Sequence, residues 1–257
     1  MIDQFVILTH QRSGSNMLVS MLDSHPEIKC FGELMRITPE WMKQKGYRGA
    51  LRVLEKVPEH YKEARYRFDY PEAFVQEAFA TAPNRSFYGF KLHINQHTEY
   101  MKRLIHDPKW KIVILQRENK LAQFSSSKIA EITGQGNAPK GTKIKQATAQ
   151  FDSREFKSFL ARMQKEWNRV WEEIDSAGRD YFYIPYTNLA SQSALQNLFQ
   201  FLGADPAFDV EAGTEKRNPS NILARFSNQE EAASALEEMG RTEWSEEKLK
   251  SDAEVAS

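Results

Sequence analysis

The sequence predicts an α/β fold, in which a parallel sheet is flanked by helices to give three layers. Short apolar runs at residues 4–9, 110–117 and 181–186 have the composition of buried strands. Segments with helical spacing of apolar residues follow these runs, and strands that alternate with helices form parallel sheets covered on both faces. The chain shows no repeat and no dividing linker, so we expect one domain over residues 1–257.

The first half of the expected order begins with the strand at residues 4–9 and a helix that ends before Pro26. A short extended segment follows at residues 28–36, and a second strand is predicted at residues 86–93. Residues 38–86 between them are helical in pattern and rich in aromatic and arginine side chains. We interpret them as an insertion that covers the C-terminal edge of the sheet, or alternatively as an outer helix pair with a solvated basic face.

The second half contains the clearest strand, at residues 110–117, and a long helix that begins at Asp152. Glu155 lies three residues after Asp152, which is the spacing of a capping box. Apolar residues then keep helical spacing for about six turns, which indicates a core-facing stripe. The other expected elements are a helix at 120–132, a mobile Gly- and Lys-rich loop at 134–150, a strand at 181–186, a helix at 194–202 and a surface helical tail that frays from about 228.

The composition of the chain excludes several classes of protein. Lys and Arg total 35 and Asp and Glu total 35, so no overall field attracts nucleic acid or a membrane surface. Cys30 is the single cysteine, which excludes an intramolecular disulfide and fits a reducing compartment. No signal region and no apolar stretch of about 18 residues is present. We therefore expect a cytoplasmic protein.

Residues 10–16, with the sequence HQRSGSN, form the stretch around which the chain is organised. They lie between the first strand and the first helix, where backbone N–H groups and the helix dipole attract anions. Ser and Arg side chains add donors, although an ordinary βα turn is the alternative. The loop lacks the GxxxxGK[ST] pattern of a Walker A loop, so an enzyme that binds a triphosphate together with magnesium is disfavoured.

A second anion site is predicted at Arg117 and Ser125. Arg117 closes a strand, and Ser125 lies eight residues later in the following helix. This arrangement places a guanidinium and a hydroxyl donor at the carboxyl edge of the sheet, where ligands bind in such folds. The alternative is that Arg117 pairs with Glu118 or another surface carboxylate.

The order of these motifs resembles that of sulfotransferases that use 3′-phosphoadenosine 5′-phosphosulfate (PAPS). The loop QRSGSNM, a strand ending in Lys-x-His, an Arg-x7-Ser pair and the segment YTNL occur in the same order. The loop is most similar to the RSG[ST] branch, which includes bacterial carbohydrate and tyrosylprotein sulfotransferases. Residues 4–36, 86–130 and 180–206 carry the resemblance, and it implies a phosphate-loop sulfotransferase fold.

The resemblance implies a donor site for PAPS, with 3′,5′-adenosine bisphosphate (PAP) as the product and no metal. A basic residue near the 3′-phosphate corresponds to Lys216 or Arg217, for which an exposed basic loop is the alternative. Tyr186 matches the family tyrosine, although Thr187 and Asn188 replace the acidic pair that follows it. The implied donor-binding residues are Arg12, Ser13, Gly14, Ser15, Asn16, Met17, Arg117, Ser125, Tyr186, Lys216 and Arg217.

The resemblance also implies the residues of the reacting centre. Arg12 and Lys91 would lie on the bridging and sulfuryl oxygens of the donor. Two residues compete as general base: Glu33 in a Gly-Glu segment, and His93 in the Lys-x-His segment. The type of loop favours Glu33, with His93 binding the acceptor. A hydrogen-bonded strand-end histidine and an ion pair of Glu33 with Arg36 are the non-catalytic alternatives.

We therefore expect a PAPS-dependent sulfotransferase that acts on a hydroxyl, or alternatively an amine, of a small-molecule or carbohydrate acceptor. Two other functions remain open. One is a nucleotide or small-molecule kinase on a related phosphate-loop fold, and the other is a non-catalytic nucleotide-binding module. The sequence indicates no nucleic-acid or membrane partner and leaves formation of a homo-oligomer open.

Overall fold

The structure is a computed structural model that describes residues 3–35, 52–82, 84–136, 143–210 and 219–255. Within these residues, five strands form one parallel sheet. They are β1 (Asp3–Thr9), β2 (Ile28–Glu33), β3 (Phe87–His93), β4 (Trp110–Gln116) and β5 (Tyr181–Pro185). Their order in the sheet is β2-β3-β1-β4-β5. Each strand coincides with an apolar run of the sequence, and the predicted α/β fold of the phosphate-loop type is confirmed.

The helices cover both faces of this sheet. The first is α1 (Ser15–Ser24), which follows β1 directly. In the described residues the others are α2 (Ala64–Asp69), α3 (Pro71–Ala80), α4 (Thr98–His106), α5 (Lys120–Thr133), α6 (Ser153–Ala177), α7 (Gln192–Leu202), α8 (Gln229–Glu238) and α9 (Asp252–Val255).

Strand β1 lies in the middle of the sheet and separates two hydrophobic cores. Val6 and Leu8 pack into one core with Trp167 of α6. Phe5 and Ile7 pack into the other core, which α1 and α7 cover. This alternation of sides is the period of two expected of a strand buried on both faces.

The register of the sheet brings three strand ends together. Thr9 at the end of β1 pairs with His93 at the end of β3. On the other side Thr9 pairs with Leu115 near the end of β4. The loops after β1, β3 and β4 therefore leave the same edge of the sheet, where the sequence places Arg12, His93 and Arg117.

Local signals account for several helix ends. The side chain of Asp152 accepts a hydrogen bond of 2.8 Å from the amide of Glu155, so the predicted start of α6 is confirmed. Helix α7 ends at Gly203, which has a φ of 91°. Helix α4 was not predicted, and the ring of His97, which is not a usual capping residue, accepts a hydrogen bond from the amide of Tyr100 in its first turn.

Two predicted peripheral segments are more closely integrated than expected. Helix α3 buries Phe74 and Phe79 in the core that contains Val6. Residues 38–51 and 83 of the predicted insertion and 137–142 of the predicted loop lie outside the described residues. A frayed tail was expected after α8, whereas Glu247 is buried at the sheet edge.

None of the helices in the described residues has the length and hydropathy needed to cross a membrane.

Candidate active site

The loop between β1 and α1 has the backbone shape of an anion cradle. Gly14 precedes α1 with a φ of 85°, and Arg12 adopts a φ of 64°. Within the described residues, α1 has no side-chain cap and no acidic residue in its first turn. Ser13 fixes the loop by donating a hydrogen bond of 2.7 Å to the carbonyl of His10. The positive end of the α1 dipole is therefore directed at a site that favours an anion.

Tyr186 connects this loop to Arg117. A Cβ atom on Gly14 would lie 2.4 Å from Cδ2 of Tyr186, so the ring needs a glycine beneath it. The guanidinium of Arg117 lies over the same ring, 4.4 Å from its centroid. Burial raises the pKa of Tyr186, and the phenol is therefore neutral at physiological pH.

Arg117 lies in a buried pocket. The alternative interpretation had paired it with a carboxylate at the surface. It is 6% exposed, and its Nη1 donates to the carbonyl of Arg12 at 3.0 Å. Its Nε donates to both carboxylate oxygens of Glu247, at 2.9 and 3.0 Å. The partner of Arg117 is thus a carboxylate from the far end of the chain.

A second arginine shares this pocket. Arg225 is 2% exposed, and its Nη1 donates to Oγ of Ser125 at 3.2 Å. Burial lowers the pKa of Arg225 to about 10, with Arg117 contributing in the same direction and Glu247 opposing it. The guanidinium stays charged at neutral pH, so two buried cations face one carboxylate.

A cluster around Lys91 lies at the ends of β2 and β3. Nζ of Lys91 is 3.0 Å from Oε1 of Glu33 and donates to Oδ1 of Asn16 at 2.6 Å. Nε2 of His93 lies 3.5 Å from the same Glu33 oxygen. Glu33 and Lys91 are 6% and 1% exposed, and Asn16 belongs to the first turn of α1. The cluster therefore touches the anion loop.

An irregularity in β2 produces the contact between Glu33 and Lys91. Phe31 pairs with Phe90, but the next paired residues are Glu33 and Lys91, so Gly32 is an extra residue. In an uninterrupted register Glu33 would lie opposite Leu92, on the other face from Lys91. A glycine within a strand pattern often marks such a bulge but does not specify it.

Arg12 lies on the other side of the loop, against α5. Its Nε donates to Oγ of Ser126 at 3.0 Å, and its Nη1 donates to the carbonyl of Gly136. Its guanidinium thus contacts the helix that follows Arg117. No group of three or more His, Cys, Asp or Glu side chains within the described parts of the chain is arranged to hold a metal ion.

Comparison with known proteins decides the family. A sequence model described as "Sulfotransferase family" matches residues 4–209, which include both anion sites and the Lys91 cluster. The chain belongs to the sulfotransferase family. It is therefore a transferase of the sulfuryl-transferring type, and the predicted family resemblance is confirmed. No curated protein matches the chain.

Solved structures similar to this sulfotransferase include two from bacteria. One is a sulfotransferase from Alicyclobacillus acidocaldarius, with 15% identity, a TM-score of 0.46, and coverage of 95% of this chain and 94% of that one. The other is the sulfotransferase domain of the olefin synthase of Synechococcus PCC 7002. It has 17% identity, a TM-score of 0.41, and coverage of 81% of this chain and 75% of that one.

The structure of this sulfotransferase brings most of the predicted site residues together in two groups. Gly14, Tyr186, Arg117 and Ser125 form the first group, and Asn16, Lys91, Glu33 and His93 form the second. Lys216 and Arg217 lie outside the described residues. Arg225 and Glu247 were not predicted from the sequence. An arginine within the apolar segment Ile222–Phe226 is the one signal that pointed to the former.

Proposed function

We propose that this chain transfers a sulfuryl group from PAPS to a hydroxyl of a small-molecule or carbohydrate acceptor. The observation that carries the proposal is the pair of anion sites on one sheet edge, joined by Tyr186. The loop at Gly14 and the guanidinium of Arg117 both contact this ring. A nucleotide with a 5′-phosphosulfate and a 3′-phosphate has two anionic groups on one ribose, and these two sites would hold them.

The electrostatics of the pocket support a 3′-phosphate at Arg117. Arg117 and Arg225 are both buried; Arg117 donates to Glu247, and Arg225 donates to Ser125. Buried charges are costly unless they are paired, and here one carboxylate faces two guanidiniums. A phosphate dianion would neutralise both cations, and arginine forms bidentate hydrogen bonds with phosphate.

The Lys91 cluster supports in-line transfer beside the α1 loop. Glu33 would accept the proton of the acceptor hydroxyl while that oxygen forms a bond to sulfur. Lys91 would donate to the bridging oxygen as the bond from sulfur to that oxygen breaks and PAP leaves. Asn16 orients Lys91 for this role, since its Oδ1 accepts from Nζ at 2.6 Å. Positioning and charge stabilisation are the main tasks of a protein in such transfers.

The surroundings of Glu33 favour an acceptor with an apolar face and hydroxyl groups. Gln96 Nε2 lies 3.5 Å from Oε2 of Glu33. The next residue, His97, stacks on Phe68 with ring centroids 4.0 Å apart, and Phe68 is 49% exposed. An exposed aromatic ring that is linked to the proposed base through His97 and Gln96 suits a sugar ring or a small alcohol.

The first experiment is a calorimetric titration of the full chain with PAP, with 5′-AMP and with ATP plus magnesium. We expect PAP to bind and Arg117→Ala to weaken it by about 1–3 kcal/mol, the scale of a lost charged hydrogen bond. The binding of 5′-AMP should change much less in the variant, because it lacks the 3′-phosphate. An assay with labelled PAPS and a panel of sugars and small alcohols then tests transfer.

Each competing function has its own outcome. Binding of ATP with magnesium in preference to PAP would support the kinase. Binding of PAP without transfer to any acceptor, even with both base candidates intact, would support a non-catalytic nucleotide-binding module. Failure to bind PAP in a folded protein contradicts the donor site as proposed.

A further inference from the structure

The guanidinium proposed to bind the 3′-phosphate is bound in this structure to a carboxylate of the same chain. Arg117 donates from Nε and Nη2 to Glu247, and the two side chains are 7% and 2% exposed. Carboxylates and phosphates accept hydrogen bonds from the same fork of an arginine. We propose that Glu247 occupies the place of the donor's 3′-phosphate, so that donor binding displaces this carboxylate and loosens the segment that carries it. This inference rests on the proposed function.

The hydrogen bonds of Arg117 argue against simultaneous binding of Glu247 and a phosphate. Its Nη1 donates to the carbonyl of Arg12 at 3.0 Å, while Nε and Nη2 donate to Glu247. Each of the three nitrogens thus has a partner, and the second N–H groups of Nη1 and Nη2 are the donors left for another ligand. A phosphate that reached the same guanidinium would lie against the Glu247 carboxylate in a buried place, where like charges repel strongly. One anion must leave for the other to bind.

The pocket charge favours exchange in the presence of the donor. Glu247 carries one negative charge and faces both Arg117 and Arg225. A 3′-phosphate carries up to two negative charges and would also reach the hydroxyl of Ser125, to which Arg225 donates at 3.2 Å. The carboxylate is therefore a weaker ligand of the pocket than the phosphate, and it keeps the cations paired when no donor is bound.

Glu247 is the main anchor of the segment that carries it, which we call the C-terminal strap (residues 246–255). It is the one buried residue of the strap. Next to Glu247, the carbonyl of Glu246 accepts from Nδ2 of Asn119 at 3.0 Å, and the amide of Glu247 donates to the carbonyl of Ser220 at 2.9 Å. Beyond Glu247, the amide of Lys250 donates to the carbonyl of Thr187 at 2.7 Å, and Asp252 accepts from Ser191 and Ser193. Leu249 and Val255 are only partly buried against the core that contains Phe5. Segments held by few buried contacts open at low free-energy cost.

The strap is also coupled to the donor site through the backbone. Thr187 follows Tyr186 in the 3-10 turn Tyr186–Ala190, whose tyrosine lies between Gly14 and Arg117. Release of Glu247 would therefore also weaken the contact of the strap with Thr187, which lies next to the proposed nucleotide site. Nucleotides without a 3′-phosphate would leave Glu247 in place, so the strap would discriminate between 3′-phosphorylated and other nucleotides.

The first test compares the Glu247→Gln variant with the unmodified chain by calorimetry with PAP and 5′-AMP. Glutamine keeps the shape of the side chain and removes the competing charge. We expect PAP to bind at least about tenfold more tightly to the variant, and 5′-AMP to bind both proteins alike. The matched control is Glu246→Gln, which changes the neighbouring, exposed carboxylate that pairs with Lys248 at 3.7 Å and should leave both affinities unchanged.

The direction of the change in affinity separates the outcomes. Weaker binding of PAP to Glu247→Gln would mean that Glu247 orients Arg117, and unchanged binding would mean that the two anions do not compete; either result overturns the strap proposal alone. If neither the unmodified chain nor the variant binds PAP, the proposed function fails together with it.

A second test uses the unmodified chain and does not depend on the folding of a variant. Amide hydrogen exchange in the strap, above all at Lys250, is measured with and without saturating PAP. We expect exchange to become at least several-fold faster when PAP binds, because the bond to Thr187 is released. Slower or unchanged exchange would show that the strap stays on the site and would overturn the proposal.

Discussion

Glu33 and Lys91 form an ion pair of 3.0 Å between two side chains that are 5% and 1% exposed. Lys91 also donates to Asn16 at the start of α1, so the pair connects the end of β2 to the anion loop. A buried pair of this kind costs desolvation free energy, and proteins tolerate that cost where the charges are used. The pair is thus the part of the site in which stability and the proposed chemistry can be tested separately.

The first prediction concerns the general base. Glu33→Gln should lower turnover by roughly 10²–10⁴-fold, the usual contribution of such a group. Its affinity for PAP should stay nearly unchanged, because the donor phosphates are held by other residues. Steady-state kinetics with an identified acceptor and calorimetry with PAP measure the two effects. Full turnover in Glu33→Gln together with its loss in His93→Ala would assign the base to His93.

The second prediction concerns the stability of the pair. Glu33→Ala and Lys91→Met should each lower the free energy of unfolding by about 3–5 kcal/mol, because each leaves one buried charge without its partner. The double variant should lose clearly less than the sum of the two, since no uncompensated charge remains. Urea unfolding monitored by fluorescence gives the three values.

An exposed ion pair provides the control for this cycle. Nε of Arg103 lies 2.8 Å from Oε1 of Glu72, and the side chains are 55% and 53% exposed. The same cycle on Arg103→Met and Glu72→Ala should give a coupling below about 1 kcal/mol. Additive effects at Glu33 and Lys91 would mean that burial does not strengthen their interaction.

The third prediction concerns Gly14 and the ring of Tyr186. Gly14→Ala would place a methyl group 2.4 Å from the ring at a φ of 85°, so the loop or the ring must shift. Gly178→Ala is the matched control, because its φ is 58° but nothing lies within 4 Å of the added atom. Backbone strain should cost each variant about 1 kcal/mol of stability, and Gly14→Ala should lose more because of the contact with the ring. Of the two variants, Gly14→Ala alone should bind PAP more weakly. Equal affinity for PAP in the two variants would show that the packing of Tyr186 on Gly14 does not contribute to donor binding.

The sheet could be predicted because each strand is a local apolar run, and the residues that end these strands were predicted with it. The site was predicted only in part, because its remaining contacts join distant parts of the chain. Glu247 is separated by 130 residues from Arg117, and its local sequence is that of a solvated acidic tail. The contact of Glu33 with Lys91 needs the bulge at Gly32, which one glycine in a strand pattern does not specify.

Helix α4 was missed for a different reason. Its apolar residues have helical spacing in the local sequence, but no usual capping residue marks where the helix begins. Tyr100, Met101, Leu104 and Ile105 are buried and have helical spacing. The helix begins after His97, which is not among the usual capping residues, and its ring accepts from the amide of Tyr100 at 3.2 Å. The capping rules therefore gave no start signal for a helix that the apolar spacing supports.

The fourth prediction concerns Lys120, the first residue of α5, whose Nζ donates to the carbonyl of Arg117. Burial lowers the pKa of Lys120 from 10.5 to about 8, with Glu118 opposing the shift and Arg117 adding to it. Between these two values the unfolded chain binds more protons than the folded one, so the lysine's contribution to stability rises with pH, by up to about 1.4 kcal/mol per pH unit. Lys120→Met should therefore show a smaller rise in unfolding free energy from pH 8 to 10.5 than the unmodified chain.

The control for Lys120 lies on the same helix. Lys128 pairs with Glu155 at 2.6 Å, and Lys128→Met should keep the pH-dependent rise of the unmodified chain. Urea unfolding at half-unit steps of pH measures all three proteins, and taking differences between them cancels the other groups that titrate in this range. A difference between the unmodified chain and Lys120→Met that stays constant with pH would contradict the lowered pKa. A smaller difference in the presence of PAP would show that an anion at Arg117 offsets part of the shift, although burial remains the main cause of the lowered pKa of Lys120.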